Sequence, residues 1–446
     1  MMSTLCIAFL LVAGLGVASG AEEGTGDNPL RAFFPYGVYL GGNSPEYLPD
    51  LGKEELRASI DRVCADLAAH GMNCAWPNNL RWENLPLWLE AGQKHGIRIV
   101  PQGGGPPGFV RAAWFADRED FARRVEPFYR DMAVRYRDDP ALLAWSLTEE
   151  NEPVPWFYEA IAELTGKMAE WDPDHPMITM DNKDATAWLN AQIVKPKGLT
   201  RDVYVFFADG LNGPYEPMGF RSLLTRTCQR FREAADSVGG VYWLMGQGMR
   251  LVGHGDGREQ LSWRYPTPEE IRWQVWTSIQ EGAKGFFYFF YRGASSPPQR
   301  GEFIEGLRGR YGEETEQFRM AGEVGRQIRP LMPLLLQLDV APPHQSIVYW
   351  ENTPVSGQTF THRQTGRRFL IAVNHDCAAI QRVGIELGYF PQFLEPDDKL
   401  FDLRSGRGYD YQSIKLTTLL PGDGTIYFVG SESDWKAFSS SLYEQP

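Results

Sequence analysis

Leu142-Leu143-Ala144-Trp145-Ser146-Leu147-Thr148 runs directly into Glu149-Glu150-Asn151-Glu152-Pro153. An apolar run of strand length that stops at three carboxylates and a proline reads as a buried strand ending in an acidic turn. On both sides of it the chain repeats one unit: a short apolar run, a polar loop, then an amphipathic helical stretch. Such runs occur at 33–40, 72–76, 97–102, 142–148, 177–180, 203–208, 241–245 and 285–291. That alternation predicts parallel strands covered by helices, and eight units close a barrel. The expected fold class is therefore α/β, a (β/α)8 TIM barrel.

Helices are expected at 53–70 and 117–137, among others. Two of the turns carry His70-Gly71 and His95-Gly96. Glycine there takes the left-handed conformation that closes a helix, and histidine suits the last turn, so both pairs are read as caps. A long helix over 315–338, broken near Pro330 and Pro333, is expected to end the barrel. From 340 the pattern changes to short strands at 346–350, 359–362, 368–374, 383–387 and 425–429, separated by Gly, Pro and Asp turns. This predicts a C-terminal antiparallel β-sandwich. The expected domains are 1–21, 30–338 and 340–446, and a chain of 446 residues is long enough for a large barrel plus a smaller module.

The first of those segments is an apolar run from Leu5 to Val17, followed by the small residues Ala18-Ser19-Gly20-Ala21. It reads as a cleaved secretory signal, although its start lacks Lys and Arg, and the expected location is secreted or periplasmic. No second stretch is long and apolar enough to span a bilayer. A formal net charge of −13 with scattered Lys and Arg argues against nucleic acid and anionic lipid as partners. Beyond the signal, Cys64, Cys74, Cys228 and Cys377 show no CxxC and no Cys/His metal spacing. Cys64 and Cys74 are read either as a disulfide or as two buried thiols. HExxH and a GxSxG elbow are both missing, and Gly103-Gly104-Gly105-Pro106-Pro107 lacks the spacing of a phosphate cradle. No metal and no cofactor is expected.

In a (β/α)8 barrel the reactive groups gather at the C-terminal ends of the strands, whose loops share one pocket. Those ends offer Asn43, Trp76, Asn78 with Asn79, Gln102, the 149–152 segment including Asn151, Asp181, Asp209, Gln247, Tyr291 and Arg292. Amides and carboxylates hydrogen-bond hydroxyl groups and aromatics stack on sugar rings, so the expected partner is a carbohydrate. Three neighbouring acids repel one another, which favours protonation of one of them. If the strand persists, alternation places Glu150 and Glu152 on one face and Glu149 on the other. His254 and Asp256 fall in the Gly-rich stretch 253–257, expected as a long loop over the pocket.

The Trp145-x-Leu147-x-x-Glu150 approach to the fourth strand end resembles the superfamily of (β/α)8 glycoside hydrolases that includes β-galactosidases and cellulases. So does the segment from Arg272-Trp273-Gln274 through Gly282-Ala283-Lys284-Gly285 into Phe286-Phe287-Tyr288-Phe289. The resemblance implies an acid/base glutamate at the end of strand four. Counting from Trp145 assigns Glu150; matching the tripeptide Asn151-Glu152-Pro153 assigns Glu152; the count is favoured because distance from the buried strand sets how far the side chain projects. Retaining members also carry a nucleophilic glutamate at the end of strand seven, about 5 Å from the acid. Here Val241-Tyr242-Trp243-Leu244-Met245-Gly246-Gln247 puts an amide there, and an amide cannot supply the anionic oxygen. Three readings stay open: inversion with Asp209 or Asp181 as base, a carboxylate delivered by Glu281 or Glu302, or a barrel that binds glycan without cleaving it.

Overall fold

The computed structural model describes residues 28–40, 51–103, 117–149, 154–207, 217–255, 258–295, 303–342, 354–382, 394–410 and 418–443. Eight parallel strand positions form a closed ring. They are β1 (Tyr36–Leu40), β2 (Cys74–Leu80), β3 in two pieces (Arg98–Ile99 and Gln102–Gly103), β4 (Trp145–Glu149), β5 (Met177–Asp181), β6 (Gly198–Asp202), β7 (Val241–Gln247) and β8 (Phe286–Phe289). Each pairs in parallel with its sequence neighbours, and β8 returns to β1. Helices alternate with them: α1 (Lys53–Ala69), α2 (Leu85–His95), α3 (Glu126–Tyr136), α4 (Pro155–Trp171), α5 (Asp184–Leu189), α6 (Pro217–Asp236), α7 (Pro268–Gln280) and α8 (Glu316–Ile328).

Local chemistry explains the boundaries. Thr267 caps α7 through the backbone N–H of Glu270, whose carboxylate returns to the Thr267 N–H, and Pro268 opens the first turn. Gly96 closes α2 at φ 68°. The barrel interior is filled by Tyr39, Trp76, Ile178, Met180, Trp243, Met245 and Phe287, while a second layer lies between strands and helices. Cys64, Cys74 and Cys228 are buried free thiols, and Cys377 is also free.

One expected strand is displaced. The sixth lies at Gly198–Asp202, not at 203–208. Gly-Leu-Thr-Arg-Asp shows a single aliphatic residue, yet Thr200 and Asp202 are buried and Leu199 faces the helices. The more apolar run after it, with Val205 and Phe206 buried, belongs to no strand: the Val203 N–H donates to the Met245 carbonyl at 3.0 Å, and Phe207 forms an isolated bridge to Trp263. Burial, not pairing, makes that run look like a strand.

After α8 the chain turns through Arg329–Leu331 and Met332–Gln337, broken at the two prolines. The buried Lys284 ammonium caps the second of these pieces by donating to the Leu335 and Leu338 carbonyls. An antiparallel β domain follows. Its six-stranded sheet runs Leu338–Val340, Val355–His362, Arg368–Asn374, Gly424–Gly430, Lys399–Asp402 and Gly408–Asp410 in spatial order, beside a two-stranded pair of Gln381–Arg382 with Thr418–Leu419. The helix Glu432–Tyr443 packs Phe438 on Phe369 and Phe428. Expected strands at 359–362, 368–374 and 425–429 fall inside these; 346–350 and 383–387 lie outside the described residues, as does the 1–21 segment. Among the described residues no helix is long and apolar enough to cross a membrane.

Candidate active site

The ends of β2, β3 and β4 build a polar wall. Asn78, Gln102 and Ser146 are register partners on neighbouring strands, so their side chains share the inner face of the barrel. Trp76 Nε1 donates to Gln102 Oε1 at 2.8 Å and Ser146 Oγ donates to the same oxygen at 3.2 Å. Two donors on Oε1 fix the amide, leaving Nε2 to donate to Glu149 Oε2 at 2.9 Å. Asn78 Nδ2 donates to that oxygen at 3.1 Å.

Glu149 is therefore turned inward, contrary to the expectation from simple alternation. Against β5, Ser146 pairs with Ile178 and Glu149 with Met180, so β4 advances three residues while β5 advances two. The extra residue is a bulge, and it brings Glu149 to the face that Ser146 occupies. Glu150, Asn151 and Glu152 lie outside the described residues.

The other side of the opening is aromatic. Ring contacts run from Trp76 to Tyr39 at 6.0 Å, Tyr39 to Phe289 at 5.5 Å, Phe289 to Tyr204 at 5.1 Å and Tyr204 to Trp263 at 6.2 Å. Tyr204, Trp263 and Phe289 are partly exposed at the rim, whereas Trp76 and Trp243 are fully buried. The two inner tryptophans form the floor, and the three rim aromatics are the available stacking surfaces. Strand-end inspection missed Tyr204 and Trp263, because one follows the displaced sixth strand and the other sits in an excursion after β7.

That excursion is not a loop. Arg250–Gly255 and Arg258–Trp263 pair as an antiparallel hairpin, joined by Phe303–Glu305 and Ala294–Ser295 from the β8–α8 connection. Arg250 Nε donates to Glu305 Oε2 at 2.5 Å across this sheet. The stretch expected as a loop over the pocket is thus largely paired strand, with only 256–257 outside the description.

Gln247 sits at the foot of the hairpin with its amide fully occupied. Its Oε1 accepts from the Phe206 N–H at 2.9 Å, and Nε2 donates toward the carbonyls of Arg264 at 2.8 Å and of Phe206 and Met249 at 3.2 Å. Gln274 from α7 brackets the Gln247 backbone, accepting from its N–H at 2.7 Å and donating to its C=O at 3.0 Å. Gly246 allows this approach, since a Cβ there would lie 2.8 Å from Gln274 Oε1.

The remaining sequence candidates disperse. Ile178 and Met180 face inward, so Asp181 alternates toward the helix layer, where Asn190 Nδ2 donates to it. Tyr291 donates to Asp66 Oδ2 at 2.7 Å, against α1, and Arg292 is exposed beside the 308–312 turn. Glu281 is buried at the end of α7 and accepts from Gln229 at 3.0 Å, a structural role. Asn43, Asp209 and Glu302 lie outside the described residues. A carboxylate that was missed is Asp202, which ends the true sixth strand. It is a register partner of the inward-facing Met245, is buried, and stands 3.5 Å from Arg201 Nη1.

No protein-family model and no curated protein matches this chain. Solved structures do. A β-galactosidase from the psychrophilic Marinomonas ef1 superposes with a TM-score of 0.52 at 14% identity, over 68% of this chain and 61% of that one. An α-amylase from Anoxybacillus superposes with a TM-score of 0.55 at 10% identity, over 90% of this chain and 99% of that one. At such identities the likeness concerns fold. With its closed ring of eight parallel strands and its trailing β domain, the chain has the TIM-barrel fold of glycoside hydrolases.

Proposed function

We propose that this chain is a secreted enzyme that hydrolyses a glycosidic bond in an oligo- or polysaccharide. The observation carrying the reading is the inward Glu149, held by Asn78 and Gln102 opposite partly exposed Tyr204, Trp263 and Phe289. A pyranose has an apolar face and a polar edge, and an opening with one aromatic side and one amide–carboxylate side complements both.

Glu150, next to Glu149, is the proton donor in this reading, with Glu152 as alternate. Because Gln247 offers no nucleophilic oxygen, we assign inversion: a base takes a proton from water, the water oxygen attacks the anomeric carbon, and Glu150 protonates the departing oxygen. Asp202 and Asp209 are the candidate bases. Screening glycosides and glycans by reducing-end release, with NMR of the first-formed anomer, tests this. Glu150→Gln is expected to lower kcat about 10²- to 10⁴-fold while glycan affinity persists. Unchanged turnover in both Glu150→Gln and Glu152→Gln excludes the assignment. The amide at 247 also favours a second reading, a glycan-binding barrel, in which the wild-type chain binds but never releases reducing ends.

A further inference from the structure

The position that would hold a nucleophile in retaining enzymes is, in this chain, wired to the hairpin that carries part of the aromatic rim. Gln247 joins three separate backbone segments. Phe206 follows Tyr204 by two residues, Met249 precedes the first hairpin strand, and Arg264 follows Trp263 directly. Tyr204 and Trp263 in turn meet edge to face at 6.2 Å.

We infer that Gln247 is a positioning residue, an amide clamp that sets the Tyr204–Trp263 platform for the sugar face; this rests on the glycan reading of the pocket. The chemistry at 247 requires an amide. One side must accept a backbone N–H, and the other must donate toward three carbonyl oxygens. A carboxylate would keep the first contact and set its second oxygen against those carbonyls at 2.8 to 3.2 Å, where two acceptors repel. The Glu-to-Gln difference at this strand end is thus a built-in feature of the rim, with Gly246 and Gln274 shaped around the same residue. It is not a nucleophile lost from an otherwise unchanged site.

The test uses the full chain labelled with 5-fluorotryptophan, the Trp263 resonance being assigned by its loss in Trp263→Phe. Gln247→Glu and the isosteric apolar Gln247→Met are compared by amide hydrogen exchange, by 19F NMR and by binding of the best glycan from the screen above. Both are expected to speed exchange of the hairpin amides at least about tenfold, to shift the Trp263 resonance and to weaken glycan binding about tenfold. Trp263→Phe is expected to weaken glycan binding while leaving hairpin exchange unchanged. Unchanged exchange and an unmoved Trp263 resonance in both Gln247 variants overturn the clamp, as does a covalent glycosyl adduct at position 247 in Gln247→Glu. Failure of the wild-type chain to bind any glycan overturns the reading of the pocket, and the exchange and 19F results still decide the clamp.

Discussion

Gln102 shows how one side chain fixes the polarity of an entire wall. Its Oε1 is the acceptor for both Trp76 and Ser146, and its Nε2 faces Glu149. In Gln102→Met the volume is nearly kept, but an indole N–H and a hydroxyl, both in buried residues, lose their acceptor and Glu149 loses a donor. Stability is expected to fall by about 2 to 4 kcal/mol in chemical denaturation. A loss under about 0.5 kcal/mol would show that other groups take over these bonds. The candidates Asn78 and Gln102 were legible in the sequence because strand ends can be counted, and the structure brings them together. The facing of Glu149 was not. A bulge between Ser146 and Glu149 is set by pairing with β5, and no local residue preference in Ser-Leu-Thr-Glu announces it.

At the scale of elements, the barrel is tied shut where α1 meets the segment leading into α8. Asp66 on α1 accepts from Tyr291 and from Arg308, and His70 bridges Asp66 to Glu314 while stacking on Phe318 at 3.7 Å. Burial opposes charge on His70, but hydrogen bonds to Asp66 and Glu314 outweigh it and raise its pKa to about 8 from 6.5. Burial likewise opposes the Asp66 carboxylate, and the bonds from His70, Arg308 and Tyr291 bring it down to about 2 from 3.8. The histidine contribution is complete below pH 6.5 and is lost as pH rises through 8; the aspartate contribution is complete above 3.8 and is lost as pH falls toward 2. The thermal midpoint should therefore drop between pH 6.5 and 8.5 in the wild-type chain and stay flatter in His70→Gln, as read by calorimetry. Equal slopes would place the charge elsewhere. The caps at His70-Gly71 and His95-Gly96 follow from glycine's left-handed freedom and were legible; Gly71 and Gly96 take φ 71° and 68°. Strand six was misplaced because its register partners, not its own composition, define it, and that shift carried attention to Asp209 instead of Asp202.

For the whole molecule, a barrel followed by a β domain was readable from the change in pattern near 340, but how the two bodies meet was not, since the contact joins residues far apart in sequence. α7 is the shared element. Trp273 Nε1 donates to His375 Nδ1 at 2.9 Å, so that nitrogen carries no proton and Nε2–H is left to donate to Ser356 Oγ at 2.6 Å. Ser356 Oγ then donates to Gln280 Oε1 at 2.9 Å, and Gln280 Nε2 donates to the carbonyls of Ser356 and Ile371. The donors run in one direction from Trp273 through His375 and Ser356 to Gln280, which ties α7 to the β domain. Beside it, Gly424 lies under Trp276: a Cβ would come within 2.5 Å of Cδ2 and 2.6 Å of Cε3, and the Arg404 guanidinium sits 5.2 Å from the same ring. Arg404 donates to the Gly424 carbonyl, and Trp276 is fully buried, so the indole has little room to retreat. Gly424→Ala should then cost about 1 to 3 kcal/mol by overpacking. Because the strain falls where α7 packs on the β domain, the single calorimetric transition expected for the wild-type chain should split in the variant, with the β domain melting first. An unsplit transition with an unchanged midpoint would mean that the domain does not brace the barrel through α7.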